Sequence, residues 1–383
     1  MKRVAVALAA AVCALPACRT GERPAGAAYP VRIETVAGVK TFLNPAFPKE
    51  GVVRCALREE LTLGGEAGGA ESVLNRPFDL RVDARGDIYV LDWGDVEIKV
   101  FAPDGRLLRT CGKKGQGPGE FDIPVSFDLA ADGRIFLLSG RQHMMIALDG
   151  AGKYLSSFRL DGFCDRLGVD RRNRIYYSQV LVPAEGAGQE YRLVQNWLAL
   201  LRTDESGRET RRLGDYPGDT MLRRVQGAGA HAVSTSLSSR ESCTTVWLVG
   251  PGDRIYIGYS RDYLLTVYDP DWKPLFRFGR EFTPVRHPGY KANGPHPEFY
   301  PAFSDRRTFF DDLGNLWLEQ YQEEGVADHA FDVFSPEGIY LKQVRLPEAP
   351  YLVHGDLAYA IIRQADEFLV VKRFRIVPAP PEG

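Results

Sequence analysis

Residues 77–112, PFDLRVDARGDIYVLDWGDVEIKVFAPDGRLLRTCG, decide how the rest of the chain is read. They hold four short runs of alternating apolar and polar residues, separated by turns containing Gly or Asp, which is the pattern of a four-stranded antiparallel sheet. The unit recurs. Its second strand, behind an Asp/Gly turn, returns centred on Ile88, Ile135, Ile175, Ile255 and Leu316, and the turn after its third strand returns at Gly105, Gly152, Gly207, Trp272 and Gly338. Fourth strands end near Gly112, Leu160, Gly214, Gly279 and Leu346, so the spacings of about 48, 54, 65 and 67 residues measure insertions into a constant unit.

After Leu346 the chain offers only DLAYAII and DEFLVVKRFRI, too little for a complete sixth unit. The segment Glu59-Glu60-Leu61-Thr62-Leu63-Gly64 has the form of a fourth strand, yet it precedes the first unit. Pairing it with the last unit closes a ring and removes an exposed sheet edge. The expected fold is therefore all-β: a six-bladed β-propeller of four-stranded antiparallel blades over residues 58–376, closed by an N-terminal strand, with a tail at 377–383.

Composition agrees. Of 383 residues, 44% are apolar and 11% aromatic, enough for a large core; Gly and Pro number 39 and 25, which favours turns and short strands over long helices. Lys and Arg total 48 against 50 Asp and Glu, and a net charge of -2 gives no general pull toward nucleic acid.

The first residues carry an address. Lys2 and Arg3 precede an apolar run from Val4 to Leu15, long enough for an export signal and too short to span a bilayer. The run closes on Leu15-Pro16-Ala17-Cys18, which resembles a bacterial lipobox. That resemblance implies a bacterial signal peptide at 1–17, lipid on Cys18, and a tether and N-terminal extension at 18–57. It places the protein in the cell envelope facing the periplasm or the outside. Arg19 stands where an inner-membrane retention signal has aspartate, which favours the outer membrane. The membrane is then met through the lipid anchor alone. Cys55, Cys111, Cys164 and Cys243 remain in an oxidising setting without C-x-x-C spacing, so they are buried thiols or form one or two bridges.

The run Gly115-Gln116-Gly117-Pro118-Gly119-Glu120-Phe121, followed by Pro124 and ADGRIFLL, resembles the linker and opening strands of an NHL-type blade. At the level of repeat pattern residues 58–376 are similar to TolB-like six-bladed propellers, and in particular to exported propeller lipoproteins of bacteria.

No motif specifies chemistry. The glycines of 115–119 lead into a strand and not a helix, so they serve a tight crossing between blades and not a phosphate. Asp83, Asp132, Asp170 and Asp311 precede second strands, where aspartate caps turns by accepting backbone N–H groups. His143, His231, His287, His296, His329 and His354 are dispersed without an H-x-H or HExxH pair, and no G-x-S-x-G occurs; no catalytic residue, metal ligand or cofactor is assigned.

The insertions do carry information. Loops at 179–197, 215–242, 280–302 and 321–329 all leave one face of the ring, at blades 3 to 5, and long loops on a rigid scaffold are where binding groups gather. The candidates there are Arg223, Arg224, His231, Arg286, His287, Tyr290, His296, Tyr300 and Arg307, a mixture of aromatics and cations suited to stacking and to pairing with carboxylates. The function expected is a lipid-anchored binding or scaffold module for an extracytoplasmic peptide, glycan or protein partner. The alternative is a lactonase- or lyase-like propeller enzyme with a metal or acid/base group at the channel mouth.

Overall fold

The computed structural model describes residues 29–65, 69–183, 192–208, 210–226, 233–238, 241–291, 296–322, 326, 328–364 and 368–379. Five sheets are built in sequence from four antiparallel strands each. Blade 1 is Pro77–Val82, Ile88–Asp92, Glu97–Phe101 and Leu107–Cys111. Blade 2 is Pro124–Leu129, Ile135–Ser139, Met144–Leu148 and Tyr154–Arg159. Blade 3 is Cys164–Val169, Ile175–Leu181, Arg192–Thr203 and Arg211–Gln226. Blade 4 is Thr245–Gly250, Arg254–Tyr259, Leu264–Tyr268 and Pro274–Arg280. Blade 5 is Phe303–Phe310, Leu316–Gln320, His329–Phe334 and Tyr340–Leu346.

Blade 6 takes Leu352–His354, Leu357–Arg363 and Leu369–Pro378 from the end of the chain and its outermost strand from the beginning. That strand belongs to the N-terminal series β1 (Arg32–Val36), β2 (Val39–Asn44) and β3 (Val52–Leu63). β3 pairs antiparallel with the last strand, Leu63 opposite Val371, Thr62 opposite Lys372 and Leu61 opposite Arg373. The ring thus closes through the segment the sequence singled out. The short innermost strand Leu352–His354 has too few residues to show periodicity and was not foreseen.

The N-terminal segment does more than a tether would. Val52–Arg54 of β3 lies parallel to the outer strand of blade 5, and β2 lies parallel to the outer strand of blade 4. Asn44 explains the attachment: fully buried, its amide donates to the Gly279 and Gly338 carbonyls (2.8 and 2.9 Å) and accepts from the Tyr340 N–H (3.0 Å). One side chain so satisfies backbone groups on two blades, which a buried amide must do to avoid an unpaired polar atom.

Second strands are buried at their centres, and entirely in Ile88–Asp92 and Ile135–Ser139, because blades stack on both of their faces. Continuous apolar runs such as IFLL follow from that two-sided burial. The repeated Gly after each third strand also has a cause. Gly105, Gly152, Gly207 and Gly338 have φ between +73° and +91°, and a Cβ at each would lie 2.5–2.7 Å from the outer strand of the preceding blade, at Leu61, Cys111, Phe158 and Phe278. Blade 4 carries Trp272 at this place, also at positive φ, stacked 4.5 Å from Tyr268.

The turn aspartates cap as expected. Asp83 accepts the Arg85 and Asp87 N–H groups (2.9 and 3.0 Å), Asp170 those of Arg172 and Arg174 (both 2.9 Å), and Asp311 those of Leu313 and Asn315 (3.1 and 2.8 Å); Asp132 accepts from Arg134 (3.2 Å). Gly112 and Gly115 sit where a Cβ would overlap Phe121 and Glu120, so the glycines between blades 1 and 2 serve close crossing. Cys55, Cys111, Cys164 and Cys243 are free thiols.

Two expectations about the loops change, and in the first the strands Ile175–Leu181 and Arg192–Thr203 take up much of the insertion 179–197. The insertion 215–242 does not run as a simple connection: the outer strand of blade 3 continues to Gln226, pairs with the extended third strand, and takes a fifth strand, Val233–Ser238. Gly214, Pro217 and Gly218 lie inside it at register shifts, and they masked its strand character in the sequence.

Candidate functional site

The innermost strands of all six blades line a central cavity of about 570 Å³. Each innermost strand is entered from an inter-blade connection, so its first residues stand at the face carrying the long loops. Charges of both signs meet in this channel. Arg81 Nη1 donates to Asp79 (2.7 Å) and its Nε to Asp128 on blade 2 (3.1 Å), while Asp128 also accepts the Val169 N–H of blade 3 (2.9 Å). Burial pushes the Asp128 carboxyl up, against the opposing pull of Arg81.

Asp165, at the start of the blade 3 inner strand, lines the channel. It accepts from Ser178 Oγ (2.6 Å), which accepts in turn from the Trp247 indole N–H on blade 4 (3.0 Å). The Asp165 side chain reaches solvent in the channel, while the surrounding channel walls push its carboxyl up; the Ser178 hydroxyl and neighbouring Arg166 act in the other direction. Arg166 spans blades 3 to 5 by donating to the Trp247 carbonyl (3.3 Å) and the Asp305 carbonyl (2.5 Å). Arg306, exposed, is a third arginine on this lining beside Arg81 and Arg166.

A second group is built from loops. Residues 281–291 and 296–302 pair with each other: His287 N–H donates to the Glu298 carbonyl and Tyr300 N–H to the Val285 carbonyl (both 2.9 Å). This pairing sets His287, buried at 7% exposure, against His296 in a stack of 4.4 Å between ring centroids, with Tyr300 on His287 at 4.6 Å and Tyr321 on Tyr300 at 5.2 Å. Arg286 lies over the Tyr290 ring at 5.1 Å and reaches Glu298 at 3.5 Å. From the preceding connection, Glu241 brings Oε2 to 3.3 Å from His287 Nε2 and 3.5 Å from His296 Nδ1.

Five of the sequence candidates, Arg286, His287, Tyr290, His296 and Tyr300, therefore come together. Arg307 does not join them: it pairs with buried Glu319 (3.4 Å), which also holds His329 Nδ1 (2.8 Å), and lies over Tyr351 of blade 6. Arg223 and Arg224 lie on the extended outer strand of blade 3, with Arg223 donating to the Pro183 carbonyl (3.1 Å). His231 and Cys18 fall outside the described residues. Glu241 was missed because only the ring brings it to His287 and His296; Glu319 and Asp165 meet Arg307, His329 and Ser178 across neighbouring strands of their own blades, a pairing that no motif records.

Fold and geometry define the class: a six-bladed propeller with a charged axial channel and a loop-built face. Comparisons agree. The DUF5128 family, described as a 6-bladed beta-propeller, matches residues 76–212. A protein of Bacteroides fragilis NCTC 9343 described as exported is similar at 10% identity and a TM-score of 0.51, over 88% of this chain and 98% of the other. A member of the duf4221 family from Bacteroides vulgatus ATCC 8482 gives 10% identity and 0.52, over 84% and 98%. Virginiamycin B lyase of Staphylococcus aureus is more distant at 11% and 0.42, over 83% and 98%. No curated protein matches the chain in sequence.

Proposed function

We propose that the chain is a cell-envelope binding module, a TolB-like propeller lipoprotein tethered through Cys18, that takes an extracytoplasmic peptide, glycan or protein partner on its loop face around the channel mouth. One observation carries this reading. The channel is a concave site whose polar groups, among them Asp165, Arg166 and Arg306, converge from different blades under the longest loops. Such a cavity, lined by aromatics such as Trp247 and Tyr351 and by arginines, suits a ligand bearing carboxylates and flat or ring-shaped surfaces. The test is calorimetric titration of the protein with a panel of acidic peptides and oligosaccharides. The reading expects one class to bind and Arg306→Glu to weaken it on the order of tenfold or more. Equal binding by the variant would place the site elsewhere.

A second reading, a propeller enzyme of lactonase or lyase type, is favoured by the raised Asp165 carboxyl and its Ser178–Trp247 support, since a carboxyl pushed up in a cavity suits general acid chemistry. Turnover that is lost in Asp165→Asn while ligand binding survives would favour the enzyme.

A further inference from the structure

Glu241, His287 and His296 belong to connections on either side of blade 4 and meet on the loop face. One ligand atom from each lies within 4.8 Å of the other two. Tetrahedral Zn²⁺ with N and O ligands at about 2.0–2.1 Å holds neighbouring donor atoms roughly 3.3–3.4 Å apart. The 3.3 and 3.5 Å separations from Glu241 Oε2 to the two imidazoles match that edge, and His296, partly exposed and stacked on His287, turns out of the stack to aim its lone pair at the same ion. His287 is fixed by burial, while His296 and Glu241 stay partly open to solvent, which leaves a side for a fourth ligand. We infer that Glu241, His287 and His296 form a binding site for one divalent metal ion of the Zn²⁺ class, with two imidazoles, one carboxylate and an open position.

The turn beneath the site sets the tautomer of His287. His287 Nδ1 accepts the Gly289 N–H (2.9 Å), so the neutral ring carries its proton on Nε2, toward Glu241. Metal binding at Nε2 needs the other tautomer, whose Nδ1–H requires an acceptor. Residues 287–290 form a β-turn closed by Tyr290 N–H to the His287 carbonyl (3.1 Å), with Pro288 and Gly289 at its centre. Rotating the central peptide into a type II turn, the form favoured by Pro followed by Gly, presents the Pro288 carbonyl where the Gly289 N–H now points. The proton moves from Nε2 to Nδ1 through solvent and the charge of the ring is unchanged. A Cβ at Gly289 would lie 3.0 Å from both His287 and His296, so a larger residue there crowds both rings.

This site uses none of the channel residues, so it stands or falls separately from the ligand reading. The experiment is Zn²⁺ titration of the full chain by calorimetry, with elemental analysis after desalting and Co²⁺ absorption to report coordination number. One ion per chain and a four- or five-coordinate Co²⁺ spectrum are expected, with affinity weakened at least about tenfold in His296→Ala and Glu241→Gln. His296 is partly exposed, so its replacement leaves folding intact where His287→Ala does not. Gly289→Ala weakens the ion while acidic-peptide or glycan binding at the channel persists. No stoichiometric metal, or equal uptake by wild type and His296→Ala, overturns the inference.

Discussion

Asp332 is the side chain on which the join between blades 4 and 5 most depends. Fully buried on the third strand of blade 5, it accepts from Arg280 Nε (2.7 Å), Gln320 Nε2 (2.7 Å), Tyr340 OH (2.5 Å) and Tyr263 OH. Arg280 is 12% exposed and lies 4.2 Å over the Tyr263 ring, at the point where the loop 281–302 leaves blade 4. Burial, and then the carboxylate, push both tyrosine hydroxyls up, so they act as donors throughout the accessible pH range. Asp332→Ala leaves the Arg280 guanidinium and four polar donors, Gln343 Nε2 among them (3.4 Å), without this acceptor. Breaking a buried pair from one side costs about 3–5 kcal/mol. A unit spanning Val31–Gly383 has an unfolding entropy near 0.7 kcal/mol per kelvin at about 2.1 cal/mol/K per residue, so the melting point falls by about 4–7 °C. Scanning calorimetry with urea denaturation measures both. Replacing both partners by apolar residues, Arg280→Met with Asp332→Leu, recovers much of the loss, because no charge is stranded. A loss under about 1 kcal/mol in Asp332→Ala would refute the reasoning.

The other predictions concern the channel and the anchor. Asp165 titrates above its ordinary value of 3.8 in the fold, and a carboxyl raised in this way weakens the folded state once it ionises. Asp165→Asn therefore melts with wild type below that value and gains on it as pH rises through the folded pKa; a gap that is constant with pH counts against the crowding described for this carboxyl. Cys18→Ala releases the protein from membranes with its melting temperature unchanged, as fractionation and calorimetry report; membrane retention by the variant after alkaline carbonate washing contradicts the lipid anchor.

The architecture was legible where physics acts locally. Two-sided burial turns second strands into apolar runs, close stacking demands Gly after third strands, and turn geometry demands Asp before second strands; each leaves its mark at a repeating position. Leu352–His354 left no mark because three residues show no period, and the outer strand of blade 3 was hidden by Gly214, Pro217 and Gly218. The site was half legible. The aromatic and cationic loop around His287 and His296 declared itself by composition, while Glu241, on another connection, is joined to it only through the ring.

Every face and loop assigned above depends on β3 closing blade 6. Thr62 and Lys372 face each other across that junction, and residues so paired in an antiparallel ladder are close enough for a disulfide. With Thr62→Cys and Lys372→Cys combined, mild oxidation should yield a monomer whose peptides around 62 and 372 are linked, as mass spectrometry without reductant detects. Absence of that link, or its appearance only between two chains, would contradict closure of the ring by its own N-terminal strand.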